Sequence, residues 1–487
     1  LLTDGSRTAL PRQQTLRATL DWSYGLLSEK ERMVLRRASV FLGGFSLEAA
    51  VGVAADEAIH ASEFGELIAQ LVARSLLIVD TTEAAPRYRM LETTRAYARA
   101  KLDEARETAT LQRRHAEYFC QLVVAAADAW LRCADADWRA RYLPEIDNVR
   151  GALEWSLGLA GDAALAVGLA GGSGPMWTAL SLYGEGAQRL EAASAHIASN
   201  ASLADQARLW LWLGVLSEAW APTRALAAFE RAADLYRTLD DAQGLGQSLT
   251  LLAHARATLG SFQASADALQ EALPALDRSG LPKLRAFYFA NAGFLKTQTN
   301  DLANARTLYE TALSLYREAG SEFATAASLN NLANVSWALG DLEAAENAFR
   351  EAVVMHRNSG HRGKDPLGFV LANLAGVLIE RGKLSDALDT AREGLPLLSG
   401  AGNAWSLIDH VALRAALAGQ LANAARVAGF TDTAHAAKEC TRQPNEARAR
   451  ERLQKLLTCH FDAMTLDQYL AEGGRMSEAE ACRMALE

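Results

Sequence analysis

The sequence predicts a mostly α-helical protein, in which a small domain of helices and one β-hairpin precedes a long array of helical repeats. Three observations lead to this fold class. Half of the 487 residues are apolar but only 7% are aromatic, and only 10 are proline, a composition that favours helices over sheets. Apolar residues recur at helical spacing along nearly the whole chain. In the second half, a helical pattern repeats with a period of about 40 residues.

Charge and cysteine content restrict the function classes. With 58 acidic and 49 basic side chains the net charge is −9, which argues against a chain that wraps nucleic acid by bulk charge. The 5 cysteines form no CxxC pair, as expected of reduced thiols in a cytoplasmic protein without a zinc site. No uninterrupted apolar run reaches about 18 residues, so we expect a soluble chain without a membrane span. Because it starts at Leu1 without a signal peptide, we also expect it to begin within a longer protein.

The first predicted helices are marked by apolar spacing and by a cap. Apolar residues predict a helix over about 15–27. Ser28 and Glu31 then form a capping box, which predicts a second helix that ends near the glycines at 43–44.

Two further helices and a hairpin follow. A short helix is predicted from about Ser46 and a longer one over about 63–75. The only strand-like stretches in this region come next, at 76–79 and 87–91, and predict a β-hairpin. Helices followed by a hairpin are the element order of a winged helix.

Residues from 92 to about 199 are predicted to form helices separated by short breaks. The clearest break is the run of Gly and Ser that ends in proline at 171–175, which we expect to be a loop between two helices.

The repeat pattern is marked by turns and by small residues. Gly260, Asn300, Gly340 and Gly382 stand at the same point of four segments, 40, 40 and 42 residues apart, and each suits a left-handed helix end. In the helix after each turn, small and larger apolar residues recur at offsets of five, nine and twelve. These sets are Ser265, Leu269, Ala272; Ala305, Tyr309, Ala312; Ala345, Phe349, Ala352; and Ala387, Ala391, Gly394. Looser copies lie at 213–232 and 419–424.

This alternation is typical of tetratricopeptide (TPR) repeats, whose stacked helix pairs form an α-solenoid superhelix. Because the period exceeds the usual length of about 34 residues, we expect longer helices. The predicted organisation is the tail of an upstream module (1–14), a winged-helix domain (15–104), a helical connector (105–205), TPR-like repeats (206–432) and C-terminal capping helices (433–487).

Catalytic and metal motifs are not found. Gly-Lys pairs occur at 363–364 and at 382–383, but neither has the surrounding glycines and hydroxyl residue of a phosphate-binding loop. We therefore predict that this chain is not an enzyme and binds no cofactor itself. His356 and His361 flank a turn without cysteine or carboxylate at ligand spacing, so no metal site is predicted.

Direct DNA binding by the winged helix is the weaker of three functional hypotheses. The helix over 63–75 would face the major groove, but it offers one Arg and two Glu, whereas DNA contact needs several basic or amide side chains. A winged helix used for packing is the preferred interpretation.

Several segments are similar to one family. They are 7–24 (RTALPRQQTLRATLDWSY), 27–32 (LSEKER), 40–45 (VFLGGF), 88–97 (YRMLETTRAY), 145–155 (EIDNVRGALEW) and 470–481 (LAEGGRMSEAEA). In combination they resemble large bacterial transcriptional regulators built on signal-transduction ATPases, the STAND class with AfsR-like members.

The resemblance implies an upstream effector domain, an upstream NB-ARC-type domain that binds ATP or ADP, and then the winged helix and a TPR sensor arm. It implies that DNA is bound through another domain and that activation involves oligomerisation. The family's Met-His-Asp motif, which contacts the nucleotide, corresponds to Met90, Leu91 and Glu92. Leucine cannot donate the hydrogen bond that histidine makes there.

The preferred hypothesis is a signal-sensing and autoinhibitory arm that binds a small molecule or a protein partner. We call the surface formed by the first helix of each repeat the inner face. Its candidate ligand-binding residues are Gln247, Thr250, His254, Phe287, Phe294, Asn330, Asn334, Trp337, Phe369 and Ile379. They combine aromatic groups with neutral hydrogen-bonding groups, which favours a weakly polar ligand over an acidic peptide terminus. The alternative is a TPR scaffold for protein–protein interaction without small-molecule sensing.

Overall fold

The structure is a computed structural model that describes residues 11–81, 86–197, 201–358, 365–399, 403–437, 442 and 444–487. The chain divides into two compact units, Leu1–Ser248 and Leu249–Glu487. The predicted tail at 1–14 and His361 lie wholly or partly outside the described residues.

The first unit begins with the winged helix. Its elements are α1 (Pro11–Gly25), α2 (Glu29–Ala38), β1 (Gly44–Ser46), α3 (Leu47–Ala54), α4 (Phe64–Ala73), β2 (Ile78–Asp80), β3 (Arg87–Arg89) and α5 (Glu92–Glu104). The capping box is confirmed, because Ser28 and Glu31 exchange hydrogen bonds at the start of α2.

The sheet has one more strand than the sequence predicts. The three strands are antiparallel in the order β1-β3-β2, and Phe45 of β1 lies opposite Tyr88 of β3. The predicted hairpin is confirmed as β2 and β3, and β1 is a third strand that the sequence prediction did not include. A strand of 3 residues is too short to show alternation, and its pairing partner is distant in the sequence.

Five helices follow in the first unit: α6 (Thr108–Trp130), α7 (Asp135–Tyr142), α8 (Ile146–Leu157), α9 (Ala163–Ala179) and α10 (Tyr183–Ser194). The predicted break at 171–175 was wrong, because all of these residues lie inside α9 and are buried. A Cβ at Gly174 would lie 2.1 Å from Trp212 Cγ, and one at Gly171 would lie 2.8 Å from the backbone nitrogen of Leu209. The glycines therefore allow close helix packing rather than ending the helix.

Helix pairs occupy the region where the sequence shows its repeats. They are α11 (Leu203–Ser217) and α12 (Pro222–Thr238), α13 (Ala242–Thr258) and α14 (Phe262–Ser279), α15 (Pro282–Gln298) and α16 (Leu302–Glu318), α17 (Glu322–Ala338) and α18 (Leu342–Asn358), α19 (Asp365–Glu380) and α20 (Leu384–Ser399), and α21 (Trp405–Leu417) and α22 (Leu421–Ala437). Most have 16–18 residues, which confirms the predicted longer helices.

The repeat signals have the predicted structural roles. Gly260, Asn300, Gly340 and Gly382 all have positive φ, at 78°, 60°, 83° and 76°. The small and large residues predicted at the second helix of each repeat are buried. A Cβ at Gly293 would lie 3.0 Å from the ring of Tyr309, so a small residue on one helix does accommodate a large one on the next.

Three helices complete the second unit: α23 (Pro444–His460), α24 (Ala463–Gly473) and α25 (Glu478–Leu486). Leu453 and Leu457 of α23, Leu466 of α24 and Ala485 of α25 are buried in the same apolar core as the repeats from α17 onward.

Candidate functional site: the inner face of the repeats

The structure places the predicted inner-face residues in three environments. Gln247 belongs to the first unit and is half-buried. In the second unit the half-buried residues are His254, Phe287, Phe294, Asn330 and Asn334. Phe369 is exposed, whereas Thr250, Trp337 and Ile379 are buried. A ligand on the present surface would therefore meet aromatic rings and amides, while the three buried residues contribute to packing.

One cluster of the inner face joins α13 and α15. The rings of His254 and Phe294 lie with centroids 4.5 Å apart. Burial lowers the pKa of His254, and a hydrogen bond between its imidazole and Asn291 opposes that shift, so the imidazole is neutral at pH 7. Asn291 Nδ2 also donates to the carbonyl oxygen of Phe287 at 2.8 Å. The cluster is thus uncharged. It consists of the phenyl rings of Phe287 and Phe294, one imidazole and one amide.

A chain of asparagines crosses from α17 to α19 and α23. Asn373 Nδ2 donates to Asn330 Oδ1 at 3.2 Å, and Asn445 Nδ2 donates to Asn373 Oδ1 at 3.0 Å. Asn334 Nδ2 donates to the carbonyl oxygen of Asn330 within α17 at 3.0 Å. We call Asn330, Asn373 and Asn445 the amide chain.

The sequence prediction omitted Asn373 and Asn445. Asn373 could have been predicted, because Asn291, Asn331 and Asn373 stand at the same repeat position, 40 and 42 residues apart. No signal in the sequence places Asn445 there, because its position depends on where α23 packs.

Trp337, on the same helix as Asn330, is part of the core. Its ring is 5.8 Å from that of His410 and 6.5 Å from that of Phe349. A Cβ at Gly376 would lie 2.5 Å from Trp337 Cη2, and the Arg448 guanidinium of α23 lies 5.4 Å from the Trp337 ring centroid. Burial lowers the pKa of His410 to about 4. The indole therefore connects α17, α19, α21 and α23.

The last two repeat helices, α21 and α22, each contribute a carboxylate that binds arginine. Asp409 of α21 is fully buried and accepts from Arg442 Nε at 2.6 Å and from Thr431 Oγ1 at 2.8 Å. Asp432 of α22 accepts from Arg442 at 2.7 Å and from Arg450 at 2.7 Å. Charge-assisted pairs of this kind favour guanidinium groups.

The helix expected to face DNA, α4 with its flanks, has its polar side chains paired within the domain. Glu63 forms an ion pair with Lys30, and Gln70 donates to Glu66 at 3.1 Å. Arg74 donates to the buried carboxylate of Glu31 at 3.1 Å. These pairs are consistent with the preferred packing role.

The positions assigned by resemblance to nucleotide contact lie at the start of α5. Met90 is buried, Leu91 is exposed at the N-cap, and Glu92 forms an ion pair with Arg95 at 2.7 Å. That ion pair lowers the pKa of Glu92. A role in nucleotide contact stays a prediction.

Neither a candidate metal centre nor a candidate membrane span is found in the part of the chain that the structure describes. Within it, no group of three or more His, Cys, Asp or Glu has the geometry to bind a metal ion. Over the same residues, no helix is both long and apolar enough to cross a membrane.

Two segments match known protein families. Residues 27–103 match a winged helix-turn-helix domain, and residues 246–460 match the MalT-like TPR region. The chain contains a winged helix-turn-helix domain and a MalT-like TPR region. Both predictions of fold are thereby confirmed, and both regions are of a regulator type rather than typical catalytic folds.

Part of the chain is also similar in sequence to curated mycobacterial proteins. A Mycobacterium tuberculosis protein named as an HTH-type transcriptional regulator is 35% identical over 263 residues, which cover 51% of this chain and 29% of that protein. Its Mycobacterium bovis counterpart gives the same values. An uncharacterised Mycobacterium tuberculosis protein is 35% identical over 122 residues, 25% of this chain and 31% of that protein. The chain thus spans less than a third of the length of these relatives.

A solved structure has a similar fold. It is the signal transduction ATPase with numerous domains (STAND) protein with a tetratricopeptide repeat sensor from Pyrococcus horikoshii, with a TM-score of 0.58 and 12% identity. The match covers 94% of this chain and 64% of that one.

Proposed function

We propose that this chain is the signal-sensing and autoinhibitory arm of a bacterial transcriptional regulator. The inner face of the repeats would bind a small molecule or a protein segment. Binding would change how the arm packs against an upstream NB-ARC-type domain that holds ATP or ADP, and so would favour an active, oligomeric state. DNA would be bound by another part of the protein.

The observation on which this proposal rests is the chemistry of the inner face within a MalT-like TPR region. Phe369, Phe294, His254 and the amide chain together present aromatic rings and neutral hydrogen-bonding groups. Surfaces of this kind suit a weakly polar ligand, whose orientation a few amides can fix. The similarity to proteins named as HTH-type transcriptional regulators supports the regulatory context.

A thermal-shift screen of metabolites and short peptides tests the proposal. A compound that binds the folded chain stabilises it by mass action, by roughly 2.7 kcal/mol at a hundredfold excess over Kd, and so raises its melting temperature. We expect at least one compound to raise the melting temperature in a saturable manner.

Two matched variants locate the site. Phe369 of α19 and Phe262 of α14 are similarly exposed, at 39% and 38%, but only the first is a predicted inner-face residue. We expect Phe369→Ala to reduce the ligand-induced shift and Phe262→Ala to preserve it. If no compound changes the melting temperature, the scaffold alternative is favoured, and equal loss in both variants would place the ligand elsewhere.

A further inference from the structure

The first half of α23 makes contacts with the inner face like those of a bound partner. Asn445 extends the amide chain through its hydrogen bond to Asn373 at 3.0 Å. One turn further along, the Arg448 guanidinium lies over the indole of Trp337 at 5.4 Å from the ring centroid. The two contacts bring α23 against α19 and α17, the first helices of two different repeats.

Two more arginines pair this segment with acidic groups. Arg442 donates to Asp409 at 2.6 Å and to Asp432 at 2.7 Å. Arg450 binds both oxygens of Asp432, at 3.2 Å and 2.7 Å. Burial acts to raise the pKa of Asp432, but Arg450 and Arg442 outweigh it and hold the pKa below its ordinary value. The carboxylate is therefore charged and favours guanidinium groups.

These contacts are of a kind that another chain can replace. The contacts are made by side chains of α23 and by Arg442 just before it, and Arg448 is exposed to solvent apart from its contact with Trp337. A single neutral hydrogen bond, such as that between Asn445 and Asn373, adds little net stability, because water competes for both partners. The second half of α23 differs, since Leu453 and Leu457 are fully buried in the core. In the first half Ala449 belongs to the same apolar core, whereas the contacts of Arg442, Asn445, Arg448 and Arg450 described above are polar.

We propose that Arg442 and residues 444–450 are an intramolecular occupant of the inner face and of the neighbouring carboxylate of Asp432. The partner that competes with them is an arginine-rich peptide segment that also presents a side-chain amide. This proposal rests on the proposed function, because it takes the protein segment as the ligand at the end of the repeats where Asp409 and Asp432 lie. It also names the element that this ligand displaces.

A peptide-competition experiment on the full chain tests this proposal. The probe is a fluorescein-labelled synthetic peptide with the sequence of residues 442–460 and serine in place of Cys459, and its binding is followed by fluorescence anisotropy. Wild type should bind the peptide weakly because its own segment occupies the site. In the double variant Asn445→Ala/Arg448→Ala the segment is released, so we expect at least tenfold tighter binding.

Three controls make the result specific. Arg452→Ala removes an exposed arginine of the same helix and should bind the peptide as wild type does. Adding Asn373→Ala to the double variant should abolish the gain in affinity. A peptide with Arg448→Ala and Arg450→Ala should not bind any of the proteins. Circular dichroism and the melting temperature verify that each protein is folded, and Arg448→Ala alone, at an exposed position, should give a smaller gain in the same direction.

Equal peptide affinity in wild type, the double variant and Arg448→Ala would overturn the proposal, as would a gain that survives Asn373→Ala. The assay contains no natural signal. Its failure would therefore leave a positive thermal-shift result intact, and a negative thermal-shift screen would leave a tenfold gain in peptide affinity intact.

Discussion

Helices α23 and α24 follow each other in the chain and pack on the same repeats by opposite means. At α24 the backbones nearly touch: a Cβ at Gly473 would lie 1.8 Å from the carbonyl oxygen of Arg426, and one at Gly429 would lie 2.1 Å from that of Leu470. The first half of α23 instead contacts its neighbours through the amide of Asn445 and the guanidinium of Arg448.

The difference separates a permanent contact from an exchangeable one. Close backbone packing depends on the shape of two particular helices, so no other segment can readily take the place of α24. Amide and guanidinium contacts depend on chemical groups that another peptide can supply. We therefore expect α24 to be a fixed cap, whereas our proposal makes the segment beside it displaceable.

The largest expected effect is on the α24 contact. Gly473→Ala should reduce the free energy of unfolding by about 3 kcal/mol, because the added methyl group forces two backbones apart. Urea unfolding followed by circular dichroism measures the change. Gly184 of α10 has no atom within 4 Å of a Cβ placed there, so Gly184→Ala should keep or slightly raise stability. A loss below about 0.5 kcal/mol for Gly473→Ala would contradict the tight packing of α24.

Local signals explain what the sequence could predict. The turn at Gly340 and the small-residue pattern around Ala345 and Phe349 are set by helix geometry within one repeat, and repetition makes them visible. The glycine run at 171–175 has the same local composition as a loop, but burial against neighbouring helices determines its structure. Single-sequence patterns contain no information on that contact.

The candidate site was predictable only in part. The repeat register predicts which aromatic and amide residues lie on the inner face, among them His254 and Asn330, and their role in ligand binding stays a prediction. The amide chain ends on α23, and nothing between 444 and 460 marks that helix as a neighbour of α17 and α19. The sequence could not show whether Trp337 faces a ligand or the core, because its position in the repeat is compatible with both.

Acid should weaken the region beneath α23. Burial lowers the pKa of His410 to about 4, with Arg448 acting in the same direction and Asp409 opposing it. The unfolded chain, with a histidine pKa near about 6.5, then binds more protons between these values, so stability is complete above that range and falls as pH falls. We expect a loss of about 2 kcal/mol between pH 7 and about pH 5 from this group alone.

Urea unfolding across this pH range measures the effect. His410→Phe removes the titrating group and should flatten the pH dependence. His115 of the first unit is a matched case, because burial also lowers its pKa to about 4, and His115→Phe should flatten the profile by a similar amount. If the free energy of unfolding depends on pH in His410→Phe as it does in wild type, protonation of this histidine is not what destabilises the region.

The smallest effect distinguishes the amide chain from an ordinary asparagine on the same surface. Asn373→Ala removes two interhelical hydrogen bonds, to Asn330 and from Asn445, and should lower the free energy of unfolding by about 1–2 kcal/mol. Asn334→Ala removes only a bond to the backbone of its own helix and should cost about 0.5 kcal/mol or less.

Hydrogen exchange should show faster exchange at the start of α23 in Asn373→Ala and no change at α24 in either variant. If both substitutions loosened α23 equally, the amide chain would not be what holds that helix on the inner face. If α24 loosened as well, the two contacts would be coupled rather than independent.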